Sequence, residues 1–198
     1  MKFAHDIVRF NQAVIQQREL VRQLALSKQV FGVIRRGLPS QPDLVPIGLR
    51  GIARNQRFAL EIPTTAIQAI IHPWEITKRE SFRAAEIAQF PVYEQYHVAQ
   101  KILAGFKWGV GGSLGFELTS GIQAIKPTSD FDLLLYANAP TEIPLSVIIK
   151  NRLFFEQFDT QVITLKGGFA LKEYLRTPDK KILLKTDTGP ILTKEIWS

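Results

Sequence analysis

Two aspartates one residue apart, Asp130 and Asp132, lead into the apolar run Leu133-Leu134-Leu135. Residues i and i+2 of a strand share a face. A strand over 131–136 would therefore hold both carboxylates side by side while Phe131 and Leu133 face the other way. Two anions so placed repel unless a cation lies between them. Paired carboxylates at a strand end suit a hard divalent cation such as Mg2+, which prefers oxygen ligands and completes its shell with substrate phosphates. The pair predicts a metal–phosphate site.

Asp159 stands between a predicted helix over 141–158 and a predicted strand over 161–165. A neighbouring strand would bring its carboxylate beside Asp130 and Asp132. Three acids would complete a metal cradle for one ion, or for the two ions about 4 Å apart that stabilise attacking and leaving oxygens in phosphoryl transfer. Gly112-Ser113, read as a turn, would offer backbone N–H groups and a hydroxyl to phosphate oxygens, with glycine permitting close approach of the backbone. Each also has a structural reading. Asp130 after Ser129 suits a turn, Asp159 a strand-edge cap, and Gly112-Ser113 an ordinary loop. Asp132, flanked by Phe131 and Leu133, is the hardest to explain that way.

Composition bounds the class. The 198 residues are 45% hydrophobic, enough for one large domain or two small ones. No apolar run approaches the roughly 18 residues that cross a bilayer. The first residues lead into mixed polar sequence rather than a signal-peptide core, so a cytoplasmic protein is expected, with no membrane partner. Without cysteine there is no disulfide framework, thiolate zinc site or cysteine nucleophile. The net charge of +7 is uneven, with 12 Lys/Arg against 6 Asp/Glu in residues 1–80 and 13 against 12 in residues 81–198. A basic half attracts nucleic acid, acidic protein or polyphosphorylated small molecules by the same field, and also serves solubility. Arg50, Arg54 and Arg57 are its candidate phosphate clamps, though basic residues after a strand also form ordinary solvated faces. Three tryptophans and thirteen phenylalanines without an RNA-binding signature read as core, so nucleic acid is not an expected partner.

The elements that must position these groups follow from periodicity. Helical spacing covers at least part of 6–26, strands are predicted over 30–34, 45–49 and 58–62, and a helix over 63–71. A helical pattern over 93–108 precedes the glycine-rich stretch 109–113, an extended 116–118, and the turn at Ser120-Gly121. A short amphipathic segment over 170–175 and pairing elements at 182–184 and 191–192 complete the chain. His72-Pro73 interrupts the pattern, and a boundary is expected near residue 80. The result is an α+β protein with a small basic α+β N-terminal domain (1–80) and a C-terminal domain (81–198) built on a mixed sheet with helices.

Gly112-Ser113, Asp130-Phe131-Asp132-Leu133 and Asp159 together resemble the catalytic pattern of the polymerase-beta-like nucleotidyltransferases. The longer string Gly112-Ser113-Leu114-Gly115-Phe116-Glu117-Leu118-Thr119-Ser120-Gly121, continuing through Pro127-Thr128-Ser129 to Asp130-Phe131-Asp132-Leu133, is similar to a narrower family. These are the phosphoribosyl-dephospho-CoA transferases of malonate decarboxylase, its holo-acyl-carrier-protein synthases. His5-Asp6, the stretch Val45-Pro46-Ile47-Gly48-Leu49-Arg50-Gly51 with Arg54 and Gln56-Arg57, and Leu183-Leu184-Lys185-Thr186 with Gly189-Pro190 carry the resemblance along most of the chain.

The resemblance implies a nucleotidyltransferase-like C-terminal sheet. It further implies transfer of a phosphoribosyl-dephospho-CoA group from triphosphoribosyl-dephospho-CoA to a serine of the apo acyl-carrier subunit, with release of pyrophosphate. Asp130 and Asp132 would bind Mg2+ and Asp159 would complete the site. Phe131 stands where leucine is more usual, a change on the buried face. Two alternatives stand beside this: a nucleotidyltransferase acting on RNA or another hydroxyl acceptor, and a non-catalytic scaffold that binds a partner through its basic half.

Overall fold

A computed structural model describes residues 4–23, 28–51, 56–176 and 180–197. The chain divides into two units, Met1–His72 and Pro73–Ser198. In the first unit β1 (Ile7–Asn11) is followed by the short helix α1 (Arg18–Gln23) and then by β2 (Gln29–Ile34), β3 (Leu44–Arg50), β4 (Arg57–Pro63) and β5 (Ile67–Ile71). The five strands form one antiparallel sheet in the order β4-β3-β2-β1-β5. Period-two burial explains β3, where Val45, Ile47 and Leu49 enter the core while Leu44, Pro46 and Gly48 stay partly exposed. Val8, Phe10, Ile15, Val30 and Ile62 join them in one apolar cluster.

One predicted helix is found over part of its stretch and another is corrected. Residues 7–11 form a strand, leaving α1 as the described helix of the 6–26 stretch; residues 24–27 lie outside the described residues. Residues 63–71 form a single 3-10 turn (Thr64–Ala66) and then β5. The reason is shared: β1 and β5 pair with each other, as Ile7 with Ile71 and Val8 with Ile70. Their β-branched residues pack on a pleated surface, and the ladder overrides a helical spacing that local sequence leaves ambiguous.

In the second unit α2 (Ala84–Ile87) and α3 (Pro91–Ile102) precede β6 (Trp108–Val110), α4 (Gly112–Ser120) and β7 (Leu133–Tyr136). Then come α5 (Leu145–Lys150), α6 (Arg152–Phe155), β8 (Thr160–Ile163), β9 (Gly168–Ala170), α7 (Leu171–Arg176), β10 (Ile182–Thr186) and β11 (Gly189–Thr193). The sheet order is β11-β10-β9-β8-β7-β6, and it is mixed. β7 and β8 run parallel while the other pairings are antiparallel. The chain is thus an α+β protein with a mixed C-terminal sheet. Among the described residues no helix is long and apolar enough to cross a membrane.

Four further expectations change. Residues 116–118 are helical, inside α4, rather than extended. Gly121 stops that helix with φ +67, its N–H bonding to Glu117 O at 3.0 Å, a left-handed cap that glycine adopts without steric cost. The helix predicted over 93–108 is α3, starting at Pro91, and Trp108 belongs to β6. The helix predicted over 141–158 is two short helices parted at Asn151, whose side-chain amide donates to Val147 O. β7 begins at Leu133, so Asp130 and Asp132 stand ahead of the strand rather than within it.

Candidate active site

The acids sit where β7 and β8 begin. These strands are parallel with Leu133 opposite Thr160, so Asp132 and Asp159, each one residue ahead, mark the same end of the sheet. Alternation fixes the aspect of the approach segment: Phe131 is buried while Asp130 and Asp132 are exposed. Phe131 is held edge-on against Phe158 at 4.8 Å between ring centres, and Phe158 in turn packs against Phe154. Phe158 immediately precedes Asp159, so one aromatic contact ties the two acid-bearing segments together. A turn leads in, with Ser129 N–H bonding to Lys126 O and the Ser129 hydroxyl accepting from Lys126 N–H, both at 2.9 Å.

Asp130, Asp132 and Asp159 line one cleft of about 540 Å³, together with Lys172, Gln95 and Gln157. Lys172 Nζ lies 3.4 Å from Asp159 Oδ1. Among the described residues no group of three or more histidine and acidic side chains is arranged to hold a metal ion. What the cleft offers a cation is the exposed pair Asp130 and Asp132. Two hard oxygen donors open to solvent fit Mg2+, which uses one or two carboxylates and takes its remaining ligands from water and phosphate.

Gly112 and Ser113 open α4 rather than forming a free turn. Gly111 N–H bonds to Asp132 O at 2.9 Å, and Gly112 has φ +58. A Cβ at position 112 would fall 1.8 Å from Asp132 Oδ2, so the absence of a side chain there makes room for the carboxylate. Ser113 is buried. Arg50 and Arg57 belong to the other unit, where they face each other across β3 and β4; Arg54 lies outside the described residues.

A family model for the C-terminal domain of phosphoribosyl-dephospho-CoA transferase MdcG matches residues 79–195, and the model for its N-terminal domain matches residues 4–73. The chain belongs to this transferase family. A phosphoribosyl-dephospho-CoA transferase of Pseudomonas aeruginosa is 33% identical over 87% of the chain and 82% of its own length. One from Klebsiella pneumoniae strain 342 is 31% identical over 98% and 95%. A third, from Pseudomonas syringae pv. tomato, is 32% identical over 87% and 81%. No solved structure matches the chain.

The transferase has a second charged constellation that sequence reasoning missed. The buried Glu117 carboxylate of α4 accepts from Arg83 Nη2 at 3.0 Å, from Ala124 and Ile125 N–H at 2.7 and 2.9 Å, and from the Ser81 hydroxyl at 2.7 Å. Burial alone would raise its pKa, but the Arg83 bond and the two backbone donors outweigh that and hold it below the usual carboxylate value. Arg83, bonded to Glu117, is raised in turn. The network fixes α4 to the segment that runs into the Lys126–Ser129 turn and on to Asp130, so it positions the acids without touching the cleft. Its signal in the sequence is one acid within the apolar stretch 114–118. Lys172 was also missed, since a lysine on a short amphipathic helix looks like a solvated face.

Proposed function

We propose that this phosphoribosyl-dephospho-CoA transferase moves the prosthetic group from 2'-(5''-triphosphoribosyl)-3'-dephospho-CoA to a serine hydroxyl of the apo acyl-carrier subunit of malonate decarboxylase. Family membership supports the group transferred. The observation that carries the site is the exposed pair Asp130 and Asp132, which shares a cleft with Asp159 while Asp132 rests over Gly112.

The serine oxygen forms a bond to the phosphorus nearest the ribose, and the bond from that phosphorus to the pyrophosphate oxygen breaks. Pyrophosphate leaves with the electron pair. The hydroxyl proton passes to Asp159, whose carboxylate lines the same cleft. Asp130 and Asp132 are the residues that would hold Mg2+, which when bound neutralises charge on the phosphate oxygens. The protein's share is positioning: Phe131 against Phe158 sets the spacing of the acid-bearing segments, and Gly111 N–H anchors the Asp132 backbone. Arg50 and Arg57, paired across β3 and β4 of the first unit, give that unit two cationic groups able to bind anionic phosphate.

The test is intact-mass spectrometry of the apo carrier subunit after incubation with the protein, Mg2+ and triphosphoribosyl-dephospho-CoA. A mass gain equal to the phosphoribosyl-dephospho-CoA group is expected, and it should be absent with Asp132→Asn. No gain with folded protein and competent substrates would remove the carrier assignment, and other hydroxyl acceptors would then be tested.

A further inference from the structure

We propose that Lys172 is a substrate-binding residue whose ammonium takes the phosphate chain that departs as pyrophosphate. The inference rests on the transferase reading of this cleft and names the group that receives the leaving side of the substrate.

Three of the residues lining the cleft, Asp130, Asp132 and Asp159, are acidic, and one, Lys172, is basic. A polyanionic substrate entering such a cleft meets repulsion from every acid that is not neutralised. Asp130 and Asp132 would be neutralised by the cation they would hold, and Lys172 supplies positive charge beside the third acid.

The contacts of Lys172 suit exchange. Its Nζ lies 3.4 Å from Asp159 Oδ1 and 3.4 Å from Glu156 O, both at the long limit of a hydrogen bond. The Asp159 side chain is 95% exposed and that of Lys172 38% exposed, so the ion pair is solvated and weak. A phosphate oxygen offers the ammonium a stronger charge-assisted partner.

The root of the side chain is fixed while its tip is not. Leu171 is buried, and Tyr174 packs with Phe169 and Trp197 at ring separations of 5.7 and 5.5 Å, which docks α7 against the sheet. From that anchor a flexible four-carbon stem carries a point charge able to follow a phosphate as it leaves.

The experiment is calorimetric titration of pyrophosphate with Mg2+ into the full chain, run on the unmodified protein, Lys172→Met, Lys172→Arg and Asp159→Asn, with steady-state transfer kinetics on the unmodified protein and both Lys172 variants. Loss of one charge-assisted bond predicts that Lys172→Met weakens pyrophosphate binding about tenfold or more, with Lys172→Arg retaining most of the affinity. The KM for triphosphoribosyl-dephospho-CoA should rise with Lys172→Met while that for the carrier stays unchanged. Asp159→Asn, which releases the ammonium, should bind pyrophosphate at least as tightly as the unmodified protein. Unchanged pyrophosphate affinity in Lys172→Met, with transfer intact in the unmodified protein, overturns this inference alone. Equal weakening by Asp159→Asn and Lys172→Met also overturns it, because Lys172 would then act only through its acid. No transfer by the unmodified protein overturns the carrier reading and this inference with it.

Discussion

The Asp132 carboxylate lies in the space that a side chain at Gly112 would fill, 1.8 Å from where the Cβ would stand. The helix that opens at Gly112 and the acid that precedes β7 are therefore fitted to each other, with Gly111 N–H bonded to Asp132 O as the second point of attachment.

Gly112→Ala tests this fit. The alanine would have to adopt φ near +58 and displace the carboxylate. A backbone strain of about 1–3 kcal/mol is expected in thermal or denaturant unfolding. Transfer should fall by about tenfold or more, because Asp132 is moved from its place. A variant that unfolds earlier yet transfers at the original rate would show that the carboxylate position is not critical.

Asp130→Asn and Asp132→Asn each remove one negative charge from an exposed side chain while keeping its size. Stability should change by no more than about 0.5 kcal/mol. Transfer should drop by about a hundredfold or more, and chelation with EDTA should silence the unmodified protein until Mg2+ is restored. Normal turnover in either variant, or in chelated protein, would remove the metal-assisted mechanism.

Glu117 sets an acid limit on stability. Its folded pKa is held below the usual carboxylate value of 4.5, so its contribution is fully present above about pH 4.5 and is lost as pH falls through the lower folded value. Glu117→Gln should flatten the acid limb of a stability-versus-pH profile. At neutral pH it should cost about 1.5–3 kcal/mol, because Arg83 loses its buried charged partner and keeps only the exposed Glu86 carboxylate. A variant with the same acid dependence as the unmodified protein would mean that another group governs that limb.

Arg50→Ala probes the basic N-terminal unit. Should Arg50 bind a substrate phosphate, the variant loses a charge-assisted bond and the KM for triphosphoribosyl-dephospho-CoA rises by about tenfold, with stability little changed. Kinetic constants equal to those of the unmodified protein would withdraw the clamp role of that residue.

The exposed placement of the acid pair was legible in the chain because it depends on local spacing: i and i+2 share a face in any extended segment, and Phe131 between them is apolar and buried. The same holds for β3, where Val45, Ile47 and Leu49 alternate with less buried neighbours. Residues 63–71 were not legible, because their fate depends on β1, more than fifty residues earlier, and the ladder that joins them outweighs the local preference. Glu117 looked like part of a strand, yet it lies on a helix because its carboxylate finds Arg83, Ser81 and the Ala124 and Ile125 amides there.

What the sequence determined by itself was which acidic residues stand together at 130 and 132 and, through the string running from Gly112 to Leu133, the family. Which groups share the cleft was decided only by tertiary structure. Lys172 reaches Asp159 because β9 turns back along β8 and α7 follows it, and Asp159 stands near Asp132 because β7 and β8 pair in parallel. Such contacts join residues far apart in the chain. They form only when the whole sheet is more stable than the alternatives open to each segment alone, and no window of local sequence contains that comparison.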